Sequence, residues 1–200
     1  SDILYQALNR REIRGIFEIP QNLRPPTRHL SVNLTLVHET YSREPKSSAM
    51  TIDIYTDGAA RGNPGPGGYG IVMEAGSHRR ELKQGYRKTT NNRMELLAII
   101  VALEQLKQVG HEVHVYSDSK YVVDSIEKGW VFNWQRKGFK GKKNVDLWRR
   151  YLPLHEKYQP HFHWIKGHND HPQNERCDTL AVEASHQTGL PKDEPYEALD

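Results

Sequence analysis

The chain has a single cysteine, Cys177, in 200 residues. One thiol excludes an intrachain disulfide framework and is the usage expected in a reducing compartment, so a cytoplasmic location is expected. No apolar run approaches the ~20 residues that a membrane-spanning helix needs, and no apolar signal segment opens the sequence. No membrane partner is expected. Neither sign of charge dominates: 28 Lys and Arg against 25 Asp and Glu leave a net +3. Any electrostatic preference must therefore come from where the charges sit. The chain is 36% hydrophobic and 26% charged, which is globular rather than disordered. Its length suits one medium domain with at most a small appendage.

Glycine, by contrast, is concentrated. "TDGAARGNPGPGGYG" (residues 56–70) holds six of the fifteen glycines, with Pro64 and Pro66 among them. The apolar strand pattern "TIDIY" leads into it and ends on Asp57. Glycine allows close approach of another chain. So dense a run reads either as a stiff, tight hairpin or as a surface on which something large lies flat. It matches neither G-x-G-x-x-G nor G-x-x-x-x-G-K-[ST], which removes the nucleotide-cofactor readings.

The sequence divides at residue 50. Residues 1–49 read as an N-terminal extension and linker. They offer a short helix in "DILYQALNRREIRGIF", a break in "PQNLRPPTR", and an alternating strand through Leu30, Val32, Leu34 and Leu36. From Met50 the pattern sharpens. Strands at 51–56, "YGIVMEAG" and "RRELKQGYRKT" form a meander. "NNRMELLAIIVALEQLKQVG" is a strong helix opening on Asn and closing at Gly110. "EVHVYS" is a strand that closes on Asp118. Helices follow at 119–128 and 145–158, and Pro153 should kink or split the second. "HFHWIKGH" is a strand, and "QNERCDTLAVEASHQTG" is a helix stopped by Gly189. The catalytic unit is expected over 50–190, with 191–200 as a tail. Strands followed by alternating helices and strands make an α/β fold, a mixed sheet with helices on both faces.

Four carboxylates hold special places. Asp57 and Asp118 are expected at the C-terminal ends of strands, the edge where open α/β sheets bind ligands. Glu95 is expected in the first turn of the strongest helix, and Asp178 in the first turns of the last. Helix-dipole capping and turn formation are the alternatives for each taken singly. Together they form a hard oxygen donor set without sulfur, which suits Mg²⁺ or Mn²⁺. Two such ions about 4 Å apart serve phosphoryl transfer. A zinc reading of His161, His163, His168 and His171 lacks a cysteine at a familiar spacing. Cys177 reads as helix packing.

The segment 128–150 carries eight basic residues against one acid, interleaved with Trp130, Phe132, Trp134, Phe139 and Trp148. Basic residues can track phosphates while some aromatics anchor the loop. The alternative is a solvated charged face over core tryptophans.

In series, "TDGA…GNPGPGG", "TTNNRMEL", "YSDSKYV" and "WIKGHNDHPQNERCDTLA" resemble type 1 ribonuclease H over roughly residues 50–190. The resemblance implies a five-stranded sheet of three antiparallel and two parallel strands. It implies an endonuclease that cuts the RNA strand of RNA–DNA hybrids and leaves 5′-phosphate and 3′-hydroxyl ends. Two Mg²⁺ ions, or Mn²⁺, are implied as cofactors, on Asp57, Glu95, Asp118 and Asp178. His168 is implied as the mobile residue for proton transfer or product release. Implied substrate contacts are Gly58 and Asn63 at the hybrid's minor groove, and Thr90, Asn91 and Asn92 on the DNA strand. Asn133, Trp134, Lys140, Lys142 and Lys143 belong to the basic protrusion. Lys120 stands where the family often has glutamine, so a phosphate contact replaces an amide contact there. A monomer is expected. The competing functions are a hybrid-binding module without catalysis and another polynucleotidyl transferase of the same fold. The full carboxylate set argues against the first, and "NNRMEL" with "GHNDHPQNERCD" against the second.

Overall fold

The computed structural model describes residues 49–167 and 171–198. The helix and strand expected before residue 49, and His168, lie outside the described residues.

Strands β1 (Thr51–Ala60), β2 (Gly65–Ala75) and β3 (His78–Thr89) form an antiparallel meander. Strands β4 (Glu112–Ser117) and β5 (His161–Trp164) continue the sheet in parallel, in the order β3-β2-β1-β4-β5. Period-2 alternation decides which residues face each side. Ile52, Ile54, Val113 and Val115 are buried in the main core. Against that face pack α1 (Asn91–Glu104), α2 (Lys120–Glu127), α3 (Trp130–Arg136) and α4 (Val145–Tyr158). Helix α5 (Pro172–Ser185) covers the opposite face over β1, β2 and β3. Helix α1 buries Met94, Leu96, Leu97, Ala98, Ile99, Ile100, Ala102 and Leu103. A helix apolar on nearly every side belongs at the centre of a domain.

The glycine run is explained largely by this packing. Gly67, Gly68 and Gly70 on β2 are buried, and a Cβ on Gly70 would stand 2.0 Å from the Cys177 carbonyl of α5. Gly68 and Gly70 let that helix lie on the sheet, while Gly67 is crowded by Ala59, Ala60 and Thr89, so the reading of these three as a surface for a ligand is corrected.

Four local expectations also change. Helix α1 stops at Glu104 rather than at Gly110. Beyond Leu106, residues 107–110 are exposed, so no burial there offsets the entropy of ordering more helix. Helix α4 runs unbroken through Pro153. Pro153 is exposed, so the Arg149 carbonyl it leaves without a helical donor can turn to water. Helix α5 ends at Ser185, four residues before Gly189. Helix α3 lies in a segment where the sequence showed charge and aromatics but no helical period.

The polar interior has one dominant group. Arg93 on α1 is 1% exposed. Its guanidinium donates to Asp146 at 2.9 and 2.7 Å and to Asp193 at 2.8 and 2.9 Å. Thr89 donates its hydroxyl to the same Asp193 at 2.8 Å. Residues 191–198 thus return to the domain and end in α6 (Glu194–Glu197), where Arg87 pairs with Glu197. Asp146 opens α4. Burial alone would raise its pKa, but the Arg93 hydrogen bonds win and hold it below the usual carboxylate value.

Replacing Arg93 with Met should leave Asp193 buried without its cation. Breaking a buried pair in this way costs about 3–5 kcal/mol, and each kcal/mol is roughly 2–4 °C of Tm at this size. Urea or thermal melting at pH 7 measures the loss. Asp146 has a depressed folded pKa, so its contribution is complete above the unfolded value of about 3.9 and vanishes as pH falls through the folded value. The gap between wild type and Arg93→Met should therefore narrow in acid, and a gap constant to pH 2 would contradict the ion-pair account.

Candidate active site

Strands β1 and β4 run in parallel to a last register pair, Thr56 with Ser117. The next residue on each is an aspartate. Beyond that pair β1 keeps its ladder with β2, where Asp57 faces Gly70. Asp57 therefore sits within β1 rather than at its end as expected, beside the opening that β4 leaves. This is the switch point of the sheet, where an open α/β sheet forms a ligand crevice.

Packing brings Glu95 to the same place. A Cβ on Gly58 would stand 2.3 Å from the Glu95 backbone nitrogen and 2.8 Å from Met94 Cβ. Helix α1 is thus seated directly on β1 at Gly58. Glu95 lies in the second turn of α1, not the first, and the helix is capped instead by Thr90, which accepts from the Arg93 amide at 3.4 Å. Dipole capping therefore does not account for Glu95. Ser119 donates its hydroxyl to Glu95 Oε2 at 2.5 Å and accepts from the Val122 amide at 3.3 Å. One serine so ties the corner carrying Asp118 to Glu95. Asp178 lies in the second turn of α5, next to Cys177, which is fully buried with its thiol 3.2 Å from the Tyr55 carbonyl. Burial pushes that thiol far up, so Cys177 packs and carries no nucleophile.

Asp57 feels the charges of the other three carboxylates. Burial and then the Asp118 charge push Asp57 up to about 8, against the Gly58 amide that donates to it at 2.7 Å. Asp178 and Glu95 add to the rise. Glu95 is raised by burial and by Asp118, against its bond from Ser119. Like charges held this close suit a bound cation. The donors are all hard oxygens. Among the described residues, no three His, Cys, Asp or Glu side chains are drawn together tightly enough to hold a metal ion as they stand. An open carboxylate set of this kind fits Mg²⁺, which takes one or two carboxylates and fills its shell with water and phosphate.

A second group of expected residues gathers beside Arg93. A groove of about 600 Å³ is lined by Asn63, Thr90, Asn92, Lys142, Lys143 and Asn144, with Tyr196 from the tail. The Asn91 amide donates to Asn63 Oδ1 at 3.2 Å, joining the β1–β2 turn to the start of α1. Lys140 and Asn133 are exposed but do not line this groove, and Asn133 accepts from Arg136. The loop after α3 is anchored by Phe139, which is buried at φ 59°. Trp134 packs edge-on to Trp148 at 5.9 Å and carries Lys142 Nζ 4.9 Å from its ring. Trp148 is fully buried and donates to the Tyr121 hydroxyl at 2.9 Å. The basic segment is thus core-anchored on one side and exposed on the other.

Sequence reasoning missed Ser119, Asn144 and Tyr196. Asn144 has φ 57° just before α4, and an asparagine ahead of a helical run is the available signal for such a left-handed turn. Nothing local marks Tyr196. His161 and His163 share a sheet face as alternation requires, and His163 Nε2 meets His114 Nδ1 at 2.8 Å across β4 and β5.

The raised Asp57 has a consequence for stability. A carboxyl whose folded pKa exceeds its unfolded value favours folding fully below the unfolded value, near 4. That contribution is lost as pH rises through the folded value of about 8. In metal-free protein, Asp57→Asn should therefore raise Tm at pH 8 and leave it unchanged near pH 4. If even one pKa unit of the shift is recovered, the gain is about 1.4 kcal/mol. Equal melting temperatures at pH 8 would show that Asp57 is not under this repulsion.

The RNase H family pattern matches residues 49–186. Ribonuclease H of Desulforamulus reducens is 56% identical over 147 residues, covering 71% of this chain and 92% of that protein. Ribonuclease H of Trichodesmium erythraeum is 51% identical over 151 residues, covering 73% and 96%. Among solved structures, LC9-RNase H1, described as a type 1 RNase H with the type 2 active-site motif, superposes with a TM-score of 0.62 at 29% identity. It covers 80% of this chain and 84% of that one. LC11-RNase H1, solved in complex with RNA/DNA hybrid, gives a TM-score of 0.54 at 30% identity, over 74% and 99%. With this sheet order, these relatives and the family pattern spanning its core, the chain belongs to the type 1 ribonuclease H family of enzymes.

Proposed function

We propose that this enzyme hydrolyses the RNA strand of RNA–DNA hybrids as an endonuclease and leaves 5′-phosphate and 3′-hydroxyl ends. One observation carries the reading: Asp57, buried and next to the Asp118 charge, with Asp178 and Glu95 adding to the effect, is pushed up to about 8. Two divalent ions held there, Mg²⁺ or Mn²⁺, would supply an activated water and stabilise the leaving 3′-oxygen. Asp57, Glu95, Asp118 and Asp178 are the proposed holding groups, and Ser119 fixes Glu95 among them. His168, outside the described residues, is proposed to assist proton transfer or product release.

The substrate contacts follow from placement. Lys142 and Lys143, with Asn63, Thr90 and Asn92, line one groove suited to a strand's phosphates. Asn133, Trp134 and Lys140 extend the contact along α3 and its loop. The binding of a hybrid by LC11-RNase H1 supports this class of ligand. Gly58 is required by the seating of α1, and its proposed contact with the minor groove is through its main chain. Ribose 2′-hydroxyls are what distinguish RNA from DNA there. We further propose a monomer in the cytoplasm, the location resting on the single cysteine, which fits a reducing compartment. The catalytic unit is proposed to begin near Met50.

The deciding experiment offers end-blocked RNA–DNA hybrid, duplex DNA and duplex RNA in parallel with Mg²⁺. Only the hybrid should be cut, internally. Asp57→Asn should abolish cleavage while gel-shift affinity for the hybrid persists or tightens, because one negative charge fewer faces the phosphates. An active Asp57→Asn enzyme would overturn the two-ion assignment. Neutralising Lys140, Lys142 and Lys143 together should weaken binding and make its salt slope shallower by roughly 0.9 per lost phosphate contact. An unchanged slope would reduce the run to a solvated face.

A further inference from the structure

Trp164 closes β5 and is 45% exposed. Its indole N–H donates to the backbone carbonyl of Asp118 at 3.1 Å. That carbonyl stands just before the ladder of α2, where the Val123 amide bonds to Ser119 at 3.0 Å. The indole therefore engages a backbone group at the strand-to-helix corner that carries one of the four carboxylates. The chain beyond Trp164 closes on the same corner. The Ile165 amide donates to the Ser117 carbonyl at 3.1 Å. A Cβ on Gly167 would stand 2.5 Å from Asp118 Oδ2. Asp118 is thus gripped by its main chain on one side and bounded at its carboxylate on the other, both from β5 and its exit.

The face of the same indole has a second partner. Lys120 Nζ lies 4.8 Å from the ring centroid. Lys120 is the first residue of α2, where the helix dipole disfavours a cation. Helix stability does not account for lysine there. The indole face offers that ammonium a compensating attraction and holds it two residues from Asp118.

We infer that Trp164 is a positioning residue for both halves of the site. Its N–H fixes the Asp118 corner, and its ring holds the Lys120 ammonium where a phosphate of the bound hybrid would meet it. The inference rests on the hybrid-cleavage reading above.

Trp164→Phe keeps a ring beneath Lys120 and deletes the N–H. It should lower kcat about tenfold, since small misplacements of reacting groups cost up to about 10²-fold. KM and the salt slope of binding should stay near wild type, and calorimetric Mg²⁺ affinity without substrate should fall. Lys120→Met should raise KM and make the salt slope shallower by about 0.9, with Mg²⁺ affinity unchanged. Trp164→Leu should show both effects, and Lys120→Arg should restore the salt slope. Binding is read on a hybrid whose RNA strand carries 2′-O-methyl groups. The salt slope and the Mg²⁺ titration need no cleavage, so their outcome is separable from failure of the hybrid-cleavage reading. Wild-type kcat and Mg²⁺ affinity in Trp164→Phe would overturn the role of the N–H. An unchanged salt slope in both Lys120→Met and Trp164→Leu would overturn the role of the ring. A fall in Tm and kcat of Trp164→Phe with Mg²⁺ affinity intact would make Trp164 merely structural and overturn the inference.

Discussion

The seating of α1 on β1 at Gly58 is the contact on which the rest of the site depends. A side chain there would overlap the backbone of Glu95, so the helix would have to lift. Lifting it would separate Glu95 from Asp57, withdraw Arg93 from Asp146 and Asp193, and open the groove between Asn63 and the start of α1. One missing Cβ thus couples a carboxylate cluster, a buried cation and a phosphate-sized groove. The buried apolar face of α1 supplies the driving force, and the glycine sets how near the helix can come.

Two ionic arrangements of opposite character sit on either side of that helix. Around Arg93 opposite charges are paired: a buried guanidinium meets two carboxylates with good geometry. Around Asp57 they are unmatched, and burial first, then neighbouring carboxylates, push Asp57 and Glu95 up. The matched set adds rigidity and the unmatched set stores repulsion, which the folded core has to outweigh. This division fits an enzyme whose crevice must accept cations while its frame stays fixed.

Much of this was legible in the sequence because the relevant signals are local. Strand-like runs between turn residues marked the strands, and apolar density marked α1, although its cap is Thr90 rather than the asparagine that follows. The short motifs carried Asp57, Glu95, Asp118 and Asp178, and in the fold Asp57 feels the charges of the other three. Misread features depended on partners far along the chain. Gly68 and Gly70 of β2 look like ligand-facing backbone until α5, about 110 residues later, is laid on them. Helix α3 has no clean period because its side chains divide between core and solvent. Ser119 matters through Glu95, and Trp164 through Asp118, contacts made across elements that no spacing rule links.

The Arg93 ion pair also fixes an order of events in synthesis. Arg93 and Asp193 are 100 residues apart in the chain, and chains emerge from the ribosome N-terminus first. The sheet strands, α1 and α4 can be assembled while Arg93 still has only Asp146. The second carboxylate arrives with the last residues of the described chain, after α5 is complete. A nascent chain stalled before Asp193 therefore carries a guanidinium in its centre that lacks the two hydrogen bonds Asp193 accepts. Synthesis must pass Asp193 before the donors of this buried guanidinium are all met, which makes residues 191–198 the closing element of the described fold.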